Sequence, residues 1–155
     1  MNELVKRYWK NILMILLISL VIILIVCLNK ANIRKDALQR QADNAFENSL
    51  GLALSGLNID YIKSDEGDRT YFYSRIISGL GSAKELIPFT SYKDNNNLSY
   101  MLEVLSQFMI KNFSSDFEFE SEIQLKIYKH LQEIMFNPRD EDAVNRLEKF
   151  IDSIE

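Results

Sequence analysis

The stretch NILMILLISLVIILIVCLN, from Asn11 to Asn29, carries no charged residue, and from Ile12 to Leu28 its only polar side chain is Ser19. Nineteen residues at about 1.5 Å of rise each reach roughly 28 Å, close to the thickness of a bilayer's hydrocarbon core. Leu, Ile and Val dominate, and each favours insertion, whereas one central charge would cost about 2.5–3.5 kcal/mol. A core helix of a soluble domain rarely runs this long without a polar interruption. The reading is therefore a transmembrane helix over residues 11–29, with Asn11, Ile12, Ser19, Cys27, Leu28 and Asn29 among its markers. A basic tail (1–10) precedes it, and a soluble domain (30–155) follows.

The flanks fit a helix that meets two water interfaces. Tyr8 and Trp9 stand at the N-terminal edge, where amphipathic rings prefer the headgroup region, and Lys6, Arg7, Lys10 and Lys30 are placed to snorkel. Two processing events compete with an anchor. A cleaved signal peptide needs a shorter apolar region and a small-residue site, and Cys27-Leu28-Asn29-Lys30-Ala31 supplies a poor one. A lipoprotein signal needs a small residue before its cysteine; Leu24-Ile25-Val26-Cys27 breaks that pattern at Val26, so lipidation at Cys27 is the lesser alternative.

Charge divides the chain. Residues 31–155 hold fourteen Lys and Arg against twenty-one Asp and Glu, while the first thirty hold four against one. An acidic domain without a basic stripe argues against nucleic acid as a partner, because phosphate must be neutralised by cations. Cys27 is the single cysteine, so the domain itself offers no disulfide and no thiolate metal site. For orientation, Lys6, Arg7 and Lys10 before the span face Lys30, Arg34, Lys35 and Arg40 after it. The counts nearly balance. The cations of the short tail are the denser set, and the layout of basic tail and apolar run is that of a signal-anchor. The expectation is an N-terminus in the cytoplasm and a domain outside.

Beyond the span the apolar spacing is helical throughout, giving an all-α fold: a transmembrane helix followed by an antiparallel bundle of about five helices. The first soluble helix is expected to continue out of the membrane, burying Leu38, Ala42, Ala45, Phe46, Ser49, Leu50, Ala53 and Leu57. Gly51, Ser55 and Gly56 weaken its end but permit close helix approach. After a loop over Lys63–Asp68, a second helix is expected from about Arg69 to Ile87. Its stripe is Tyr73, Ile76, Ile77, Leu80, Ala83 and Ile87; Pro88 ends it, and Gly79 and Gly81 invite a bend. The Asp94–Asn97 cluster suits a cap for a third helix with the face Leu98, Met101, Leu102, Leu105, Phe108 and Met109. Ser115-Asp116-Phe117-Glu118 has capping-box spacing and opens a fourth, with Phe119, Ile123, Ile127, Leu131, Ile134 and Met135. Asn137 as cap and Pro138 as first helical residue start a fifth, with Ala143, Val144, Leu147, Phe150, Ile151 and Ile154. A stack of helical hairpins is the competing arrangement, but no residue pattern repeats between hairpins.

Reactive constellations are scarce. His130, the single histidine, has no nucleophile motif to serve and lies beside the apolar stripe of its helix, as a boundary residue does. No Glu stands three residues before it, as a di-iron bundle requires. The acidic turns Asp65–Asp68 and Asp94–Asn97 lack the twelve-residue calcium-loop pattern. Acids at Glu118, Glu120, Glu122 and at Asp140, Glu141, Asp142 complement helix dipoles. No cofactor and no metal is expected. Tyr71-Phe72-Tyr73 cannot all face one core, since successive side chains diverge by about 100°. With Phe89 and Tyr92 they form a candidate partner or ligand patch.

The resulting expectation is a membrane-anchored, non-enzymatic helical domain. Its partners are the lipid bilayer and a membrane or envelope protein, at the outer face of a bacterial cytoplasmic membrane; self-association is compatible with the same plan. A ligand-sensing bundle signalling through a membrane partner, or a cytoplasm-facing scaffold, are the alternatives. The sensor alternative resembles bacterial chemoreceptor sensor domains in plan, on architecture and no motif. Those receptors return through a second span, for which this sequence has no further apolar run.

Overall fold

The computed structural model describes residues 3–112 and 121–154, without the side chains of 3–7, 10 and 121. Five helices account for most of them: α1 (Glu3–Leu57), α2 (Glu66–Leu86), α3 (Asn96–Asn112), α4 (Ser121–Phe136) and α5 (Glu141–Asp152), with a short 3-10 turn at Ile87–Phe89. No strand occurs among the described residues. The chain divides into two compact units, Met1–Leu38 and Gln39–Glu155.

The first unit is the N-terminal part of α1. No Pro or Gly occurs before Gly51, so nothing in the backbone interrupts the hydrogen-bond ladder. Every described side chain of this unit is exposed.

The second unit is an all-helical bundle around one apolar core. α2 packs on α3, α3 on α5, and α4 on α5. The C-terminal part of α1 lies antiparallel to α2, with Ser49 and Ala53 against Gly79, and Gly56 against Phe72 and Ile76. Phe46, Leu50, Ile76, Leu80, Leu98, Met101, Leu102, Leu105, Ile127, Leu131, Ile134 and Leu147 are the largest fully enclosed side chains. The α3 stripe follows the expected spacing residue for residue, because a helix wedged between α2 and α5 has one broad face to bury.

Four local expectations change. Leu38, expected in the core, is 60% exposed: it precedes the point where α1 first meets other helices. α2 begins at Glu66 rather than Arg69, since the Asp65 carboxylate accepts from the Asp68 N–H at 2.8 Å and two acids occupy the first turn. It runs unbroken through Gly79 and Gly81. α5 is capped by Asp140, whose side chain accepts from the Ala143 N–H at 3.1 Å. Asn137 instead closes the last turn of α4, its N–H donating to the Glu133 carbonyl at 3.0 Å, and Pro138 lies buried in the intervening turn. The expected capping box Ser115–Glu118 and Phe119 fall outside the described residues.

Candidate functional site

The apolar stretch of α1 is the first candidate, and its chemistry is simple. One helix among the described residues is long and apolar enough to cross a membrane, and none of its apolar window is covered by protein. Ile12 and Leu28 at the two ends, and the large side chains between them, are all exposed. Asn11 and Asn29 stand at its polar limits, and Cys27 is free and exposed within it. The Ser19 hydroxyl donates to the Ile15 carbonyl at 2.9 Å. In hydrocarbon, where no water can serve, every polar group must be satisfied internally, and this bond meets the need at the one hydroxyl of the run.

The proposed aromatic patch separates into two places. Tyr71, Phe72 and Tyr73 lie in the first turns of α2, whereas Phe89 and Tyr92 lie past its C-terminal end. Eighteen residues from Tyr71 to Phe89 correspond to about 27 Å of helix, so no single small ligand touches both groups. At the first place Phe72 and Tyr73 are half-buried against the core, and Tyr71 is 54% exposed. The Tyr71 ring meets Phe72 edge-on at 5.1 Å. Arg75 stacks over Tyr71 at 5.6 Å, donates to its hydroxyl at 2.9 Å and also donates to Ser55 Oγ on α1 at 3.0 Å. Tyr71 is thus held in a fixed pose on the surface.

At the second place Phe89 is 70% exposed. Tyr92 is structural. Its ring lies against Phe46 at 5.4 Å, and its hydroxyl donates to Glu47 at 3.1 Å. Burial, the hydrogen bond to Glu47 and the nearby acids push its pKa up to about 12. The Ser91 N–H donates to Asp43 at 2.7 Å, a second tie between the α2–α3 connection and α1.

His130 sits at the core boundary, as its spacing implied. Its ring is 5.8 Å from Phe150, and Nδ1 is enclosed 3.8 Å from a Glu133 carboxylate oxygen, beyond hydrogen-bonding reach. Among the described residues no three His, Cys, Asp or Glu side chains are grouped to hold a metal.

Two shallow clefts mark opposite ends of the bundle. One, about 400 Å³, is lined by Ser91, Tyr92, Asp94, Asn95, Arg139 and Glu141. Its organiser is Asn95, only 6% exposed, whose Nδ2 donates to the Pro138 carbonyl at 3.0 Å and joins the α2–α3 connection to the α4–α5 turn. The other, about 340 Å³, lies between the end of α1 and the start of α4, with Ile59, Leu125 and Tyr128 among its walls. There Gln124, 8% exposed, donates from Nε2 to the carbonyls of Leu57 and Ile59. The last turn of α1 holds no basic side chain, and this amide serves its terminal Leu57 carbonyl together with that of Ile59 just beyond the helix. Gln124 was missed from sequence, although a signal existed: it shares the helical face of Ile127 and Leu131. No family model, curated protein or solved structure matches the chain.

Proposed function

We propose that this chain is a single-pass membrane protein whose helical domain docks on a membrane or envelope protein and catalyses no reaction. The observation that carries the reading is the uncovered apolar stretch of α1, with its one hydroxyl satisfied inside the helix. Such a surface has no stable place in water, and lipid is the solvent it suits. The domain supports a docking role through rings at its surface, Tyr71 held by Arg75 and Phe72, and Phe89 exposed beside the Ser91–Tyr92 segment that Asp43 ties to α1. His130, the side chain best suited to proton transfer, faces Phe150 and Glu133 rather than a nucleophile. The cations Lys6, Arg7 and Lys10 before the run favour a cytoplasmic N-terminal side and an extracytoplasmic domain.

The test uses the full chain in bacterial cells with Cys27→Ser and one new thiol at Asp94→Cys, an exposed loop position. The chain is expected to resist alkaline carbonate extraction and to react with a membrane-impermeant maleimide on intact cells. Extraction into the supernatant defeats the anchor, and labelling only after lysis defeats the orientation. Photo-crosslinkers at Tyr71 and Phe89 are expected to give a discrete protein adduct that one at Lys129 does not. Equal adducts from all three positions would remove the docking surface.

A further inference from the structure

The apolar stretch of α1 ends in a band of hydrogen-bond donors. Asn29, Lys30, Asn32, Arg34 and Lys35 fill five of seven successive helical positions, and all are exposed. At about 100° per residue, Arg34 lies about 40° from Lys30 around the helix, and Lys35 about 100° beyond Arg34. Asn32 and Asn29 follow on the remaining circumference. The donors thus encircle the helix within about 9 Å of axial rise, comparable with the headgroup layer of one leaflet. No carboxylate among the described residues pairs with Lys30, Arg34 or Lys35. The first acid after the apolar stretch, Asp36, comes only once the band is complete. Three cations without a protein counter-charge are therefore presented where phosphate diesters would lie.

We propose that residues 29–35 form a collar that binds anionic phospholipid headgroups, phosphate diesters lacking a compensating choline or ethanolamine; this rests on the membrane-spanning reading of α1. Arg34 offers a planar fork suited to two phosphate oxygens, Lys30 and Lys35 act as point charges, and the asparagine amides donate to phosphate and glycerol oxygens. The collar selects lipid by net charge and works in either orientation of the protein.

The full chain is reconstituted into phosphatidylcholine vesicles containing spin-labelled phosphatidylglycerol or spin-labelled phosphatidylcholine, and the motionally restricted fraction of each is read. The wild type is expected to favour phosphatidylglycerol, with the preference falling about fivefold for each cation removed at low salt. The variant Lys30→Gln, Arg34→Gln, Lys35→Gln should lose most of the preference, keeping only the share that Lys6, Arg7 and Lys10 supply at the other interface, whereas Lys93→Gln, Lys129→Gln, Arg139→Gln on the domain should retain it in full. Equal restriction by the wild type, or an undiminished preference in the collar variant, overturns the proposal. An alkaline wash of the same vesicles separates the two levels: wild type stripped from the bilayer refutes the spanning reading itself. Wild type that is retained but shows no lipid preference refutes only the collar.

Discussion

Gly79→Ala and Gly81→Ala, two residues apart on α2, should change stability in opposite directions. On helix propensity alone each gains about 1 kcal/mol, because alanine loses less backbone freedom than glycine. Their surroundings differ. A Cβ at Gly79 would stand 2.6 Å from both the Ala53 nitrogen and the Ser49 carbonyl oxygen, and 3.0 Å from the Ala53 Cβ. Those backbone atoms cannot rotate away. To restore a contact of about 3.5 Å, α1 and α2 must part locally by about 1 Å. Overpacking of this kind costs about 1–3 kcal/mol, and rigid backbone on the receiving side puts Gly79 at the upper end. The expected net effect is a loss of about 2 kcal/mol. A Cβ at Gly81 meets nothing within 4 Å, so that variant keeps its full gain. The two proteins should then differ by about 3 kcal/mol, or on the order of 10 °C in Tm for a domain of this size. Near-ultraviolet circular dichroism of the full chain in detergent reads the domain through its tyrosines, without the strong far-ultraviolet signal of the N-terminal part of α1. Gly51→Ala, also open, serves as the positive control on α1. If Gly79→Ala melts with or above Gly81→Ala, the close approach of α1 and α2 is refuted.

Other expectations follow from the same contacts. Gln124→Ala strands the Leu57 and Ile59 carbonyls at the end of α1 and should cost about 1–3 kcal/mol, with faster amide exchange at both ends of the α1–α4 contact; an unchanged Tm would remove the cap from the account. Burial raises the pKa values of Tyr61 and Tyr73, and burial with the Glu47 bond raises that of Tyr92. A raised folded value means that the stabilisation is complete below the ordinary value of 10 and is lost as pH rises through the folded one. Denaturant midpoints should therefore hold to about pH 10 and fall above it, and a Tyr92→Phe chain should show a shallower fall. Leu20→Arg places a charge mid-run and should lower the inserted fraction in a translocon assay by about 2.5–3.5 kcal/mol, while Leu20→Ala retains most insertion; equal insertion of both would argue against a spanning helix.

How much of this was legible depended on the range of the forces involved. The long apolar run from Asn11 to Asn29 was plain in the sequence because fitness for a bilayer depends on the summed transfer energy of consecutive side chains and on no distant partner. The α3 stripe was equally plain, since a helix that buries one broad face writes that burial in its own 3-4 spacing. Caps were partly readable. Asp140, Asn137 and Pro138 all suit a helix boundary, and only the turn that brings the Asn95 amide to the Pro138 carbonyl selects Asp140 as the cap. The candidate patch was half readable: Tyr71, Phe72 and Tyr73 follow one another, but Phe89 and Tyr92 look near only until a helix of about 27 Å is laid between them.

By itself, then, the sequence determined the elements whose stability is local or solvent-driven: an uncharged run suited to lipid, five helices, and most of their apolar faces. Tertiary structure alone decided what each ambiguous residue does. Gly79 and Gly56 became contact points because α1 crosses α2 there, while Gly51 and Gly81 stayed in open space. Gln124 became a helix cap because α4 delivers its amide to the end of α1. The physical reason is that steric contact and hydrogen bonding act over a few ångströms between residues far apart in the chain, and those separations exist only once the helices have packed.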